Sequence, residues 1–185
     1  MKSNHILKLA LLAAGLPLAA LAQTTTSDVT MAQYGPHGGD KEITIGGNGS
    51  TNRALNNSAG GGTASFGYYF DNAWEGVIRQ SLSYSNPQGR NGNTWNGETV
   101  GAIDFHLIQQ GPVRPFVGAN LGWVYGSPRN TAAAGLETGV KFYFLPHTFI
   151  FAMVDYDWFF RHDKAIASRI TTGIYNWSLG MGFNF

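Results

Sequence analysis

Tyr175-Asn176-Trp177-Ser178-Leu179-Gly180-Met181-Gly182-Phe183-Asn184-Phe185 closes the sequence, and its reading decides the fold. Tyr175, Trp177, Leu179, Met181, Phe183 and Phe185 occupy one parity, while Asn176, Ser178, Gly180, Gly182 and Asn184 occupy the other. A period of two over eleven residues is a β-strand with one wholly apolar face. The inner strand of a soluble sandwich has such a face too. A segment of about ten residues that begins and ends in aromatics has the dimensions of a membrane-crossing strand.

Composition narrows the choice. The 185 residues are 43% hydrophobic and 14% aromatic but only 12% charged, with 25 glycines and no cysteine. That is too aromatic for a disordered chain and too weakly charged for an ordinary water-facing surface. The absence of cysteine excludes disulfides, thiolate metal sites, a cysteine nucleophile and a lipidated N-terminal cysteine. A formal charge of +1 argues against a nucleic-acid partner.

Residues 1–22 read as a signal peptide: Lys2 and Lys8 precede the apolar run Leu9 to Leu21, and Ala20-Leu21-Ala22 supplies the small-x-small cleavage site. Export would remove both lysines and take the charge from +1 to −1. Residues 23–40, with three threonines and Gly35-Pro36-His37-Gly38-Gly39, read as a flexible periplasmic segment. Residues 41–185 read as an outer-membrane β-barrel, because no stretch after Ala22 is long and apolar enough for a spanning helix.

The terminal motif resembles the last strand of small outer-membrane barrels of the OmpA-like family, with Tyr175, Trp177, Leu179, Met181, Phe183 and Phe185 matching position by position. The resemblance implies that these six residues serve as an assembly signal for the barrel assembly machinery. It also implies an eight-stranded antiparallel up-and-down transmembrane β-barrel without enzymatic activity, with roles such as envelope integrity, adhesion or surface binding.

Strands are predicted near 41–49, 62–70, 74–84, 95–108, 114–126, 132–144, 148–160 and 173–185. Short turns then alternate with longer connections at 50–61, 85–94 and 161–172, the link at 127–131 being a short exception. If the first strand runs outward, two aromatic girdles emerge. Tyr84, Trp95, Trp123, Tyr125, Tyr156, Trp158, Tyr175 and Trp177 gather at the outer end, and Phe70, Trp74, Phe105, Phe142, Phe144, Phe183 and Phe185 at the inner one.

The faces opposite the apolar stripe carry Glu75 and Arg79, Glu98, Asp104 and His106, Glu137 and Lys141, and Asp155 and Asp157. A charge facing lipid costs several kcal/mol near the midplane, so these groups are expected inside. There they should be paired, with Arg79 and Lys141 neutralising Asp155 and Asp157. Eight strands leave an interior just wide enough for side chains, which predicts a plug. The rival functions are a membrane-embedded lipid-modifying enzyme and a narrow solute pore. Outer-membrane lipid A deacylases carry a His-x-Ser pair, whereas the residues two after His37, His106, His147 and His162 are Gly39, Ile108, Phe149 and Lys164. Gly60-Gly61-Gly62 lacks the following Lys-Ser/Thr of a phosphate loop and reads as a loop or the start of a strand. No catalytic residue, cofactor or metal ligand is therefore expected.

Loop charge is lopsided: Arg53, Arg90, Arg129, Arg161, Lys164 and Arg169 fall at the outer end against Asp163 alone. These six are the candidate contacts to lipopolysaccharide, since arginine–phosphate contacts are strong and geometrically specific. The expected partners are outer-membrane lipids and lipopolysaccharide, and the expected state is a monomer.

Overall fold

A computed structural model describes residues 34–52, 58–85, 94–126, 130–160 and 173–185. Eight strands follow in order: β1 (Lys41–Asn52), β2 (Ser58–Tyr69), β3 (Trp74–Ser85), β4 (Thr94–His106), β5 (Val113–Gly126), β6 (Asn130–Tyr143), β7 (Thr148–Phe159) and β8 (Ile174–Asn184). Each pairs antiparallel with its sequence neighbours, and β1 pairs with β8 from Glu42↔Asn184 to Asn52↔Ile174. The sheet has no edge: it is a closed up-and-down barrel of the transmembrane class, as the alternating segments predict.

Parity sorts the side chains throughout. Ile43, Ile45, Ile78, Leu82, Ile103, Leu121, Leu136, Ile150, Leu179 and Met181 point outward, and the large apolar residues of this outer wall are 42–64% exposed. Water does not tolerate a continuous apolar wall of this extent, and hydrocarbon does. Tyr84, Trp95, Trp123, Trp158, Tyr175 and Trp177 form the outward ring at the loop end. Phe70, Trp74, Phe142, Phe144, Phe183 and Phe185 form the ring at the turn end.

The tight turns have local causes. Asp71 Oδ1 accepts from the backbone N–H of Ala73 at 2.7 Å and of Trp74 at 2.8 Å, an Asx turn that reverses the chain between β2 and β3. Strand bounds differ from the expectations by at most four residues, with the largest differences at the first connection. Residues 50–52 and 58–61, expected in a loop, continue the ladder with Gly49↔Gly60 and Thr51↔Ser58 in register. Ladder bonds need only backbone, so small polar residues that read as loop extend a strand whose partners on both sides are already fixed. Gly61 of the Gly60-Gly61-Gly62 run lies within β2, where a Cβ would collide with the carbonyl of Leu82.

Candidate functional site

The interior is the site with chemistry, and it has two storeys. In the one nearer the turns, Lys141 of β6 is buried with Nζ 2.7 Å from each carboxylate oxygen of Glu42, 2.8 Å from Glu75 Oε2 and 2.8 Å from Tyr69 Oη. Rings of Tyr69, Phe116 and Phe149 close over the ammonium, with centroids at 5.3, 5.8 and 5.1 Å. Tyr69 Oη donates to Glu42 Oε2 at 2.9 Å, and Asn184 Nδ2 does so at 3.0 Å. Tyr143 Oη donates to Asn184 Oδ1 at 2.7 Å, and His106 Nε2 lies 3.1 Å from Glu75 Oε2. Glu42, Tyr69, Glu75, His106, Phe116, Lys141, Phe149 and Asn184 come from β1, β2, β3, β4, β5, β6, β7 and β8 respectively, so every strand contributes to this layer.

Toward the loops, Arg79 holds Glu137 in a two-pronged ion pair, with NH2 to Oε1 at 2.7 Å and NH1 to Oε2 at 3.3 Å. Asn120 Nδ2 adds a third donor to Glu137 at 2.9 Å. Asp155 and Asp157 share one amide instead of a cation: Asn176 Nδ2 donates to both at 2.6 Å. Glu98 faces the same space, while Asp104, in register with Glu75 on one side and Gly118 on the other, lies between the two storeys. Gly118 makes room for Asp104, and Gly180 and Gly182 make room for Phe151 and Phe149.

Pairing differs from the expectation at Asp155 and Asp157. Arg79 is spent on Glu137, and Lys141 lies four positions nearer the turns than Glu137, the residue in register with Asp155. Among the described residues no ion pair holds Glu98, Asp104, Asp155 or Asp157, which leaves the loop-side storey acidic.

Sequence reasoning missed Glu42, Tyr69, Asn120, Tyr143, Asn176 and Asn184 as members of the network. Parity would have found them, since all alternate with outward apolar residues. It also missed Arg114, buried at the start of β5, which donates to the carbonyls of Tyr34 at 2.5 Å and Pro36 at 3.4 Å. Gly35 N–H donates to Pro146 O and Gly39 N–H to Tyr69 O, both at 2.8 Å, so the described end of the 23–40 segment is tied across the turn end of the barrel.

Among the described residues His106 Nδ1 has no hydrogen-bond partner. Among the described residues no three His, Asp or Glu side chains converge as a metal site. The six basic residues Arg53, Arg90, Arg129, Arg161, Lys164 and Arg169 lie outside the described residues.

No family model matches the sequence, and no curated protein matches it. Solved structures do. The N-terminal β-barrel domain of Pseudomonas aeruginosa OprF is 21% identical with a TM-score of 0.57, the match covering 81% of this chain and 100% of that one. The outer membrane protein OprG of the same organism is 12% identical, with a TM-score of 0.58 and coverage of 82% and 98%. Ail, the attachment invasion locus protein of Yersinia pestis, in complex with the heparin analogue sucrose octasulfate, is 19% identical, with a TM-score of 0.52 and coverage of 80% and 99%. What this chain shares with these proteins is the fold, that of the small outer-membrane barrels.

Proposed function

We propose that the protein is a monomeric, non-enzymatic barrel of the outer membrane, exported by its signal peptide and inserted by the barrel assembly machinery. Its interior is a plug, and its basic loops bind the phosphates of lipopolysaccharide in a role of envelope integrity or surface binding. The observation that carries the reading is the layer around Lys141, to which all eight strands contribute a side chain and in which one cation is shared by two carboxylates and a phenol. A water-filled channel has no use for an ion pair buried across its bore, whereas a wall-to-wall network braces a narrow barrel.

The loop reading draws support from the six-to-one charge count at residues 53, 90, 129, 161, 163, 164 and 169. A barrel of the same fold, Ail, forms a complex with the heparin analogue sucrose octasulfate, which makes anionic sugar chemistry compatible with this scaffold. Planar-bilayer recording of purified protein tests the plug: no large, stable conductance is expected, and a steady porin-sized current would overturn it. Fractionation with electrophoresis before and after boiling tests the compartment, since folded barrels resist SDS until heated. Recovery as a soluble periplasmic species would overturn the membrane assignment.

A further inference from the structure

The loop-side storey is short of donors as well as of cations. Among the described residues, each buried side-chain atom without a hydrogen-bond partner in this half of the lumen is an acceptor: Asn48 Oδ1, Asn96 Oδ1 and Asp157 Oδ1, with Asp104 Oδ1 between the storeys. Arg79 is held by Glu137 on both prongs. Glu98, Asp155 and Asp157 therefore share the space with no positive side chain paired to them among the described residues.

A glycine lets two of the oxygens converge. Asn120, Gly135 and Asp157 lie side by side in register on β5, β6 and β7. With no side chain on the middle strand, Asp157 Oδ1 and Asn120 Oδ1 lean over Gly135 from either side: a Cβ there would collide with the first and come within 2.9 Å of the second. Asn120 Nδ2 donates to Glu137 Oε2 at 2.9 Å, which leaves the amide oxygen to face Asp157. Asp157 is 3% exposed, and its Oδ1 has no partner among the described residues. Its Oδ2 shares the Asn176 amide with Asp155 at 2.6 Å, which keeps the second carboxylate beside the first. Glu98 Oε1 reaches to 3.5 Å from where a Cβ on Gly122 would lie, two residues from Asn120 on the same face of β5.

Acceptors that face one another in a buried space repel unless something positive lies between them. A proton on Asp157 Oδ1 would join it to Asn120 but leave Asp155 and Glu98 without a counter-charge, whereas a divalent ion answers both needs. We infer that the loop-side lumen is a calcium site, with Asp157 Oδ1, the Asn120 amide oxygen and the Asp155 carboxylate as ligands, Glu98 as a further charge, and water completing the shell. Carboxylate and amide oxygens suit a hard cation, and calcium accepts about six to eight of them in irregular geometry where magnesium demands an octahedron. Two acids and an amide make this set, which agrees with the absence of three converging acids among the described residues. Entry is from the loop end, where the inward positions of β1, β3 and β4 carry the small polar side chains of Ser50, Ser83 and Asn96. The inference rests on the closed barrel and not on the loop cations or lipopolysaccharide.

The test refolds the purified protein in nonionic detergent, free of phosphate groups that would themselves bind calcium, and heat-modifiable mobility establishes closure before any titration. Calorimetric titration should show one calcium site with a Kd of about 0.1–1 mM, at the weak end of protein calcium sites, and magnesium binding at least about tenfold weaker. The urea midpoint read by tryptophan fluorescence should rise with calcium by mass action. Asp157→Asn relieves repulsion, so without calcium it should fold at least as well as the parent. Its calcium affinity should fall at least about tenfold, and its midpoint should stop responding to the ion. Asp163→Asn, which removes the sole acid of the outer connections, should bind as the parent does. No heat and no midpoint shift up to about 10 mM calcium would overturn the site. Binding lost in Asp163→Asn but kept in Asp157→Asn would also overturn it, by moving the ion to the loops. Magnesium binding as tight as calcium would overturn the choice of ion.

Discussion

Lys141 and Glu42 stand 99 residues apart in the chain and meet across the lumen through two hydrogen bonds of 2.7 Å. Glu75 draws the same ammonium from a third strand at 2.8 Å, so one cation serves both carboxylates of the turn-side storey. Removing it would leave two buried carboxylates without a counter-charge, a change that costs about 3–5 kcal/mol. Lys141→Met should therefore lower the urea midpoint of vesicle-embedded protein by that equivalent. Adding Glu42→Gln and Glu75→Gln to Lys141→Met should recover most of the loss, because amides carry no uncompensated charge. An unchanged midpoint in the single variant would show that the network braces nothing.

Glu42 illustrates how far the sequence carries this reading and where it stops. Alternation with Ile43 and Ile45 places its side chain inside, as it does for Glu75, Glu137 and Lys141. Which carboxylate Lys141 meets depends on the shear and closure of the whole barrel, a long-range property that no spacing within one strand encodes. The same limit explains why Asp155 and Asp157 meet Asn176 and not Lys141. It explains too why Tyr125 was legible only as a girdle aromatic: its hydroxyl lies 2.7 Å from Gln80 Nε2 of β3 because the ring passes over Gly97 of the intervening β4. Strand positions were legible because parity is local, and the first connection was overlong because glycine and serine read as loop whether or not a ladder runs through them.

Phe185 closes the seam as well as the chain. Lys41 N–H donates to Phe185 O at 2.8 Å and Phe185 N–H to Lys41 O at 2.9 Å, while the ring stacks beside Phe183 with centroids 6.4 Å apart. A charge at the girdle costs only about 0–1 kcal/mol, so a stability effect at this position should be small. Phe185→Asp should nevertheless reduce folded barrel in the outer membrane several-fold if the terminal aromatic is an assembly signal, and Phe185→Leu much less. Equal, parent-level amounts of heat-modifiable Phe185→Asp would count against that role.

Arg114 anchors the segment before β1. Its two bonds, a part-buried one to the Tyr34 carbonyl and a buried one to the Pro36 carbonyl, are charge-assisted, a kind worth roughly 1.5–3 kcal/mol. Arg114→Ala should release the segment while the ladder stays closed, raising hydrogen exchange at the Gly35 and Gly39 amides by at least about tenfold, given ~1.4 kcal/mol per decade. Exchange at ladder amides such as those of β7 should not change. If the Gly35 amide remained protected, its bond to the Pro146 carbonyl would suffice without the guanidinium.

The loop cations make the functional prediction. Arg161, Lys164 and Arg169 fall within one connection, between β7 and β8, close in sequence to the outward ring formed by Trp158 and Tyr175. Solvent-exposed contacts of this kind contribute about 0.5 kcal/mol each, so three together correspond to roughly a tenfold change in affinity. Replacing all three with glutamine should weaken lipopolysaccharide binding by about that factor at low salt. The difference should shrink as ionic strength passes about 0.1 M, where the Debye length is about 10 Å. Barrel stability, held by ladder bonds and apolar burial, should not follow the salt, and heat-modifiable mobility of the variant should match the parent. Equal binding by the triple variant and the parent across the salt titration would make these residues solvated loop charge and nothing more.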